Sequence, residues 1–335
     1  MMGGIVGSDL PGPSTHHQQG HQQLQHPDTT DVSLDTESQQ EITGTCEEST
    51  NFNNTHFINP SAQDTYIGAC TLTINHVDNN ICQMRFDLIN LNISQPDDNG
   101  VCVYDFLMVT GGMSSVPIIC GYNSGQHFYY DVDPDGGHVK LTIDRSDITL
   151  LATWDIVIAQ ISCGSRYRAP EGCLQYYTAT VGTISSFNFL PSNTPLPPGA
   201  EIVQLANQDY GVCIKRADDY CGIIYDRNTN DGDYSFTLSG DTNTLLPYLI
   251  GTFEANSRNE DCTTDYVVIP GGRYTMYAND ITTFPADRYC GLGFPYTVTT
   301  TAQPFVLYFK TDGDELLDNS NRGFSLNYRQ IISCV

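Results

Sequence analysis

The chain has 335 residues, 39% of them hydrophobic, with 14 Lys and Arg against 39 Asp and Glu. This length suits two domains with sizeable cores. A formal net charge of -25 excludes nucleic acid and anionic membrane surfaces as partners and favours basic ligands or divalent cations.

The first 45 residues form a Gln/His-rich leader with no apolar periodicity, so burial cannot offset the entropy of ordering it, and disorder is expected. His16, His17, His21 and His26 belong to that polar tract. Residues 46–165 read as a first β-rich domain. Its runs are Cys70 to Asn75, Ile81 to Ile89, Tyr104 to Val109, Val139 to Asp144 and Trp154 to Ala159. Leu72 and Ile74 alternate with Thr71 and Thr73, the period of a half-buried strand. Residues 166–172 are a short linker rich in turn formers. Residues 173–335 are a second β-rich domain, with runs at Cys213 to Lys215, Gly222 to Tyr225, Asp265 to Ile269, Phe305 to Phe309 and Phe324 to Tyr328. Its segments 191–200 and 226–260 read as long connections. Trp154 and its counterpart Phe324 are expected in the cores.

One stretch occurs twice. Cys102-Val-Tyr-Asp105 runs through a β-prone segment to Gly111-Gly112 and then Cys120-Gly121. Cys262-Thr-Thr-Asp265 runs to Gly271-Gly272 and then Cys290-Gly291. Cysteine, aspartate and glycines keep their register, so the chain contains an internal repeat.

The 12 cysteines fall six to each repeat, and no CxxC or CxxH pair offers close metal ligands. A disulfide framework in an oxidising compartment fits better. The sequons at Asn53 and Asn92 agree with secretion. Residues 1–10 carry no Lys or Arg and no apolar run, which is no signal peptide. A fragment of a larger ectodomain, or a misassigned start, reconciles this with the cysteines. No stretch is long and apolar enough to span a membrane.

Six cysteines allow about fifteen pairings per domain. Cys82 opens one predicted strand and Cys163 closes another, so antiparallel neighbours bring them together. Cys221 and Cys334 occupy the same two places in the second repeat. The remainder pair first with second and fourth with fifth. The scheme is Cys46–Cys70, Cys82–Cys163, Cys102–Cys120, Cys173–Cys213, Cys221–Cys334 and Cys262–Cys290. Each contributes roughly 3–5 kcal/mol by constraining the unfolded chain.

Several phrases resemble the CUB domain. They are Phe57-Ile-Asn-Pro with Tyr66 and Cys70, and Gly182-Thr-Ile-Ser-Ser-Phe-Asn-Phe with Tyr210 and Cys213. Cys102-Val-Tyr-Asp-Phe-Leu, Ile119-Cys-Gly, Arg288-Tyr-Cys-Gly, Phe309-Lys-Thr-Asp312 and Asn321-Arg-Gly-Phe-Ser-Leu-Asn-Tyr328 complete the pattern. The longer phrases Arg168 to Tyr177, Gln204 to Cys213 and Cys120 to His127 are similar to an arthropod group of tandem CUB proteins. The third disulfide in each domain departs from the usual two-bridge pattern. The resemblance implies an all-β fold of two tandem jelly-roll sandwiches, an extracellular interaction module and no catalysis.

It also implies a calcium site in each domain. Asp105 and Asp265 match the family's motif aspartate, and Asp312 matches its late aspartate. In the first domain the late position falls on Asp144 or Asp147. The family's glutamate falls on Asn92 in the first domain, with Asp97 or Asp98 as substitutes. Glu254 and Asp261 are the candidates in the second. Calcium needs six to eight oxygens, so several carboxylates must converge. The plainer role for each is a solvated loop carboxylate or turn cap. Ser124 lacks the setting of a strained nucleophile and reads as a turn residue.

The expected function is that of a secreted, non-catalytic glycoprotein. It binds a protein or glycan, a basic patch suiting its acidity, with calcium assisting and no cofactor required. The alternatives are the non-catalytic portion of a larger secreted serine protease and a structural component of the extracellular matrix.

Overall fold

The computed structural model describes residues 42–60, 67–147, 151–192, 194, 202–315, 318 and 320–334. The histidine tract and Tyr66 lie outside the described residues. The fold is all-β, as the period-two runs predict.

The N-terminal half builds two sheets. One runs in the order Thr43–Gly44, Thr55–Ile58, Thr153–Ser162, Ile81–Asn92, His127–Asp131. The other runs Glu48–Thr50, Gly68–Ile74, Val139–Arg145, Phe106–Thr110. The β-branched and aromatic content of these segments suits a pleated surface with one buried face. Cys70, Leu72 and Ile74 point inward while Thr71 and Thr73 do not. Trp154 is buried against Phe57, ring centroids 5.9 Å apart. Ser124 holds a turn: its Oγ accepts from the Leu91 amide at 3.0 Å and donates to Asn90 Oδ1 at 3.2 Å.

The C-terminal half repeats the plan with larger sheets. The first is Cys173–Tyr177, Asp209–Ile214, Phe305–Lys310, Tyr266–Val268, Arg288–Gly291, Asn256–Arg258. The second is Val181–Ser185, Gly323–Ile331, Gly222–Arg227, Thr297–Thr300, Arg273–Thr275, Phe284–Pro285. Phe324 is buried against Phe309. The segment 226–260 is not the open loop its composition suggests. It is ordered into 3-10 turns and the short strands Phe236–Thr237 and Asn256–Arg258, because Phe236, Leu238 and Ile250 are buried and anchor it.

Six disulfides close both halves: Cys46–Cys70, Cys82–Cys163 and Cys102–Cys120, then Cys173–Cys213, Cys221–Cys334 and Cys262–Cys290. The two longest closures staple neighbouring antiparallel strands, Ile81–Asn92 to Thr153–Ser162 and Gly222–Arg227 to Gly323–Ile331.

Residues 41–335 form one compact unit, and hydrogen bonds join its two sandwiches. Gln83 clamps the backbone of Ala169, accepting from its N–H at 2.8 Å and donating to its carbonyl at 3.1 Å. Asn188 exchanges both amide bonds with Gln95, at 2.9 and 3.1 Å, and its Oδ1 also accepts from the Tyr122 amide at 2.9 Å. His127 Nε2 lies 3.0 Å from the Tyr176 carbonyl and 3.2 Å from the Tyr176 amide. The Ala206 amide donates to the Gly100 carbonyl at 2.9 Å. Gly100 has φ +74, and a Cβ there would stand 2.7 Å from Gln204 O and 2.9 Å from Glu315 Cγ, so no side chain fits. The turn 97–100 of the first sandwich thus rests directly on the wall of the second.

Candidate functional site

Asp105 and Asp265 each stand three residues after a disulfide cysteine and immediately before a strand, Phe106–Thr110 or Tyr266–Val268. Both are buried. In both, one carboxylate oxygen accepts from the main-chain N–H of a late aspartate. Asp147 N lies 3.2 Å from Asp105 Oδ1, and Asp312 N lies 2.8 Å from Asp265 Oδ1. Asp147 is therefore the counterpart of Asp312. Asp144 is not part of that group. In Val139–Arg145, residues 139, 141, 143 and 145 take the buried register, while Asp144 follows Lys140 onto the other face.

The surroundings then diverge. In the first sandwich Arg145 Nε lies 3.5 Å from Asp105 Oδ2, with side chains 2% and 0% exposed. Arg145 Nη2 donates to the Asp147 carbonyl at 3.0 Å. Ser146 N donates to Asp105 Oδ1 at 3.0 Å. Ser94 Oγ lies 3.0 Å from Asp105 Oδ2 and 3.1 Å from Asp147 Oδ2. The buried negative charge is met by an internal guanidinium and a full set of donors. Ser94, the hydroxyl of the Asn92 sequon, touches the aspartate. Asp97 caps the turn that carries Gly100, accepting from the amides of Asn99 and Val101. Asn53 Oδ1 accepts from Gln160 N at 2.7 Å.

In the second sandwich the donors run short. Gln204 Nε2 faces three acceptors: Leu238 O at 2.6 Å, Glu315 Oε2 at 2.9 Å and Asp265 Oδ2 at 3.3 Å. A carboxamide nitrogen has two hydrogens, so one acceptor goes without. Flipping the amide would set its oxygen against the Leu238 carbonyl. Glu315 Oε1, Gln204 Oε1 and Asn321 Oδ1 are also buried without a hydrogen-bond partner among the described residues. Asp318 Oδ1 accepts from the Gly240 amide at the edge of the same group.

Burial pushes the Asp265 carboxyl up to about 7, with Asp312, Asp318 and Asp314 adding their repulsion. Burial and the charge of Asp265 raise Glu315 to about 10. Every charge that acts on these two groups is a carboxylate, and among the described residues neither forms an ion pair. The arrangement is a buried surplus of oxygen acceptors, which calls for protons or a cation.

Calcium accepts amide and main-chain oxygens as well as carboxylates, so Gln204 and Asn321 suit the group as well as Asp265 and Glu315 do. Among the described residues no three His, Cys, Asp or Glu side chains already stand around one metal position. Glu254 and Asp261 lie elsewhere. Glu254 is exposed and accepts from the Tyr277 hydroxyl at 3.0 Å, and Asp261 ends an exposed 3-10 turn. Glu315, Asp318, Gln204, Asn321 and Arg145 are the residues that sequence reasoning missed. The run Asp312-Gly-Asp-Glu315 marks the first of them; Gln204 and Asn321 open two of the CUB-like phrases with no sign that they meet Asp265, and nothing local marks Arg145.

Residues 170–331 match the animal CUB domain. The match covers the second sandwich, including Asp265 and the acceptor cluster around it. CUB domains are in general non-catalytic, and with multiple disulfides they mark an extracellular protein-interaction module. No curated protein matches the chain.

Among solved structures, the chain is similar to the CUB1-EGF-CUB2 domains of rat MASP-1, with 13% identity and a TM-score of 0.27, covering 86% of this chain and 100% of that one. It is also similar to the CUB1-EGF-CUB2 domain of human MASP-1/3, with 14% identity and a TM-score of 0.26, covering 82% and 98%. The full extracellular region of zebrafish Gpr126/Adgrg6 follows, with 10% identity and a TM-score of 0.27, covering 87% and 36%. These overall likenesses are too slight to carry function. Among the described residues no helix is long and apolar enough to cross a membrane.

Proposed function

We propose that this chain is a secreted, non-catalytic binding protein whose second sandwich holds calcium and uses it to present acidic groups to a basic side chain of a protein partner. The observation that carries this reading is the uncompensated acceptor cluster: among the described residues, two buried carboxylates, Asp265 and Glu315, three orphaned oxygens and no cation acting on them. Asp265, Asp312, Glu315 and Asp318, with the amide oxygens of Gln204 and Asn321, supply the oxygen-rich ligand set that calcium takes. Bound calcium would replace carboxylate repulsion with attraction. Asp312, exposed at the rim of the group, would turn its outer carboxylate oxygen towards a Lys or Arg from outside.

In this reading the first sandwich needs no ion, because Arg145 provides the positive charge. Asp105 and Asp147 are then structural, and Asp144 is a surface carboxylate. Glycans at Asn53 and Asn92 complete the picture of a secreted glycoprotein. Calorimetry with calcium chloride tests the core of the proposal. Binding heat and a melting shift are expected in the natural chain and absent in Asp265→Asn. No heat and no shift in millimolar calcium would sink it.

A further inference from the structure

A cleft of about 590 Å³ opens on the second sandwich, lined by none of the residues of the acceptor cluster. One wall is the outward face of the sheet that holds Gly222–Arg227, Thr297–Thr300 and Gly323–Ile331, with Asp226, Thr297 and Arg329. The other is the chain around the 3-10 turn Phe253–Ala255 together with Met276 to Ala278. Its size falls in the range of small-ligand sites, about 300–1,000 Å³.

The walls are built features. Gly251 bridges to Gly293, and its φ of +81 lies in the region that favours glycine. A Cβ on Gly251 would stand 2.5 Å from Asp233 O and 2.8 Å from the Arg227 guanidinium. Arg227 is locked into that wall by donating to Gly232 O at 2.7 Å and to Ser235 Oγ at 3.1 Å. Tyr277 is equally fixed. Asp280 Oδ2 accepts from the amides of Met276 and Tyr277, the Tyr277 hydroxyl donates to Glu254, and its ring lies edge-on to Phe253 at 6.0 Å. Even so, Tyr277 and Tyr296 are each 54% exposed. Two aromatic rings held at the mouth of a cleft and left half open to water are a surface prepared for contact.

The charges of the lining identify the ligand class. The lining carries two acidic and two basic side chains, Asp226 and Glu254 with Arg227 and Arg329, and Arg227 is itself paired with Asp233 behind the wall at 3.9 Å, in a chain whose net charge is -25. A balanced cleft selects neither a cation nor an anion. It offers directional polar groups instead: the Asp226 carboxylate, oriented by Asn327 Nδ2 at 3.1 Å, and the exposed Arg329 guanidinium. Carboxylates and guanidinium groups grip paired hydroxyls, and aromatic faces attract the slightly positive C–H faces of a sugar ring. We infer that this cleft binds a short neutral oligosaccharide, stacked on Tyr277 or Tyr296 and hydrogen-bonded by Asp226 and Arg329. The inference stands on this geometry alone and is independent of calcium.

The test uses the full chain in chelator, so that it does not depend on the calcium reading. Ligand-observed NMR titrations with chitotriose, mannotriose and lacto-N-tetraose serve as neutral probes, and a heparin-derived tetrasaccharide is the anionic competitor. At least one neutral probe is expected to bind. Tyr296→Ala and Tyr277→Ala should each weaken it by about tenfold, the loss of one stacked ring, with Asp226→Asn weakening it as well. The heparin fragment should not displace it. Both tyrosines are exposed, so unchanged melting temperatures will show that the variants fold. Three outcomes overturn the inference: no neutral probe binds, binding survives both tyrosine substitutions, or the anionic fragment takes the cleft in preference.

Discussion

Asp105 and Asp265 occupy the same place in two copies of one plan, yet their surroundings answer the same electrostatic problem in opposite ways. Each carboxylate is drawn out of water at the base of a strand and bonded by the amide of a late aspartate. Around Asp105 the chain supplies Arg145, Ser94 and two amides. Around Asp265 it supplies Glu315, Asp318 and a glutamine with too few hydrogens. A duplicated motif thus fixes where a carboxylate is buried, and the residues beside it decide whether the fold supplies its donors or leaves its acceptors uncompensated.

Removing the internal cation gives the sharpest contrast. Arg145→Met should destabilise the protein by about 3–5 kcal/mol, because Asp105 is left buried without its partner. Denaturant unfolding monitored at Trp154 reads this, and a loss below about 1 kcal/mol would make the pair incidental.

Adding a cation to the other site comes next. Calcium at a hundred times its dissociation constant should stabilise the natural chain by about 2.7 kcal/mol. Asp265→Asn should abolish that gain and Asp105→Asn should not, by scanning calorimetry. If both variants keep the calcium effect, the two sites do not differ in the way described.

The joint responds to pH on its own terms. Burial, and then the charge of Arg85, hold the His127 imidazole down at about 4, against the opposing Tyr176 carbonyl and Asp87. Tyr129 and Tyr177 complete its neighbours. Because the folded value lies below the ordinary one of about 6.5, the unfolded chain binds the extra proton first. The stabilisation is complete above that value and is lost as pH falls towards 4. About 2 kcal/mol should go between pH 7.5 and 5. His127→Gln should flatten the melting curve over this window in saturating calcium; an unchanged slope would place the sensitivity elsewhere.

The smallest effect is expected at Glu315. Glu315→Gln removes a buried carboxyl that has no cationic partner among the described residues, and the replacement is isosteric. Because burial raises the Glu315 carboxyl to about 10, the neutral amide should leave stability in chelator equal or higher near neutral pH, while calcium heat disappears. A large destabilisation would show that the carboxylate is satisfied after all.

Much of this was legible in the residues. The period-two runs expose the strands, and the repeated Cys-x-x-Asp with its double glycine exposes both aspartates. Arg145 was not legible, because its role depends on register. It follows Asp144 directly, and only the pairing of Val139–Arg145 with its neighbours shows that the arginine faces inward and the aspartate outward. Gln204 and Asn321 are distant in sequence from Asp265 and meet it only through tertiary packing. Glu254 looked like a carboxylate awaiting a metal; its partner is a tyrosine hydroxyl, a contact made across a loop that composition alone does not fold.

The turn that ends at Gly100 gives the molecule an entropic property. Two modules on a flexible tether must be reoriented each time a partner engages the second after the first. Here the Gly100 carbonyl, the Gln83 clamp and the Asn188–Gln95 pair have already fixed that orientation. A partner that touches both sandwiches meets one rigid template, and the ordering cost that a floppy linker would impose on its second contact is already met by the fold.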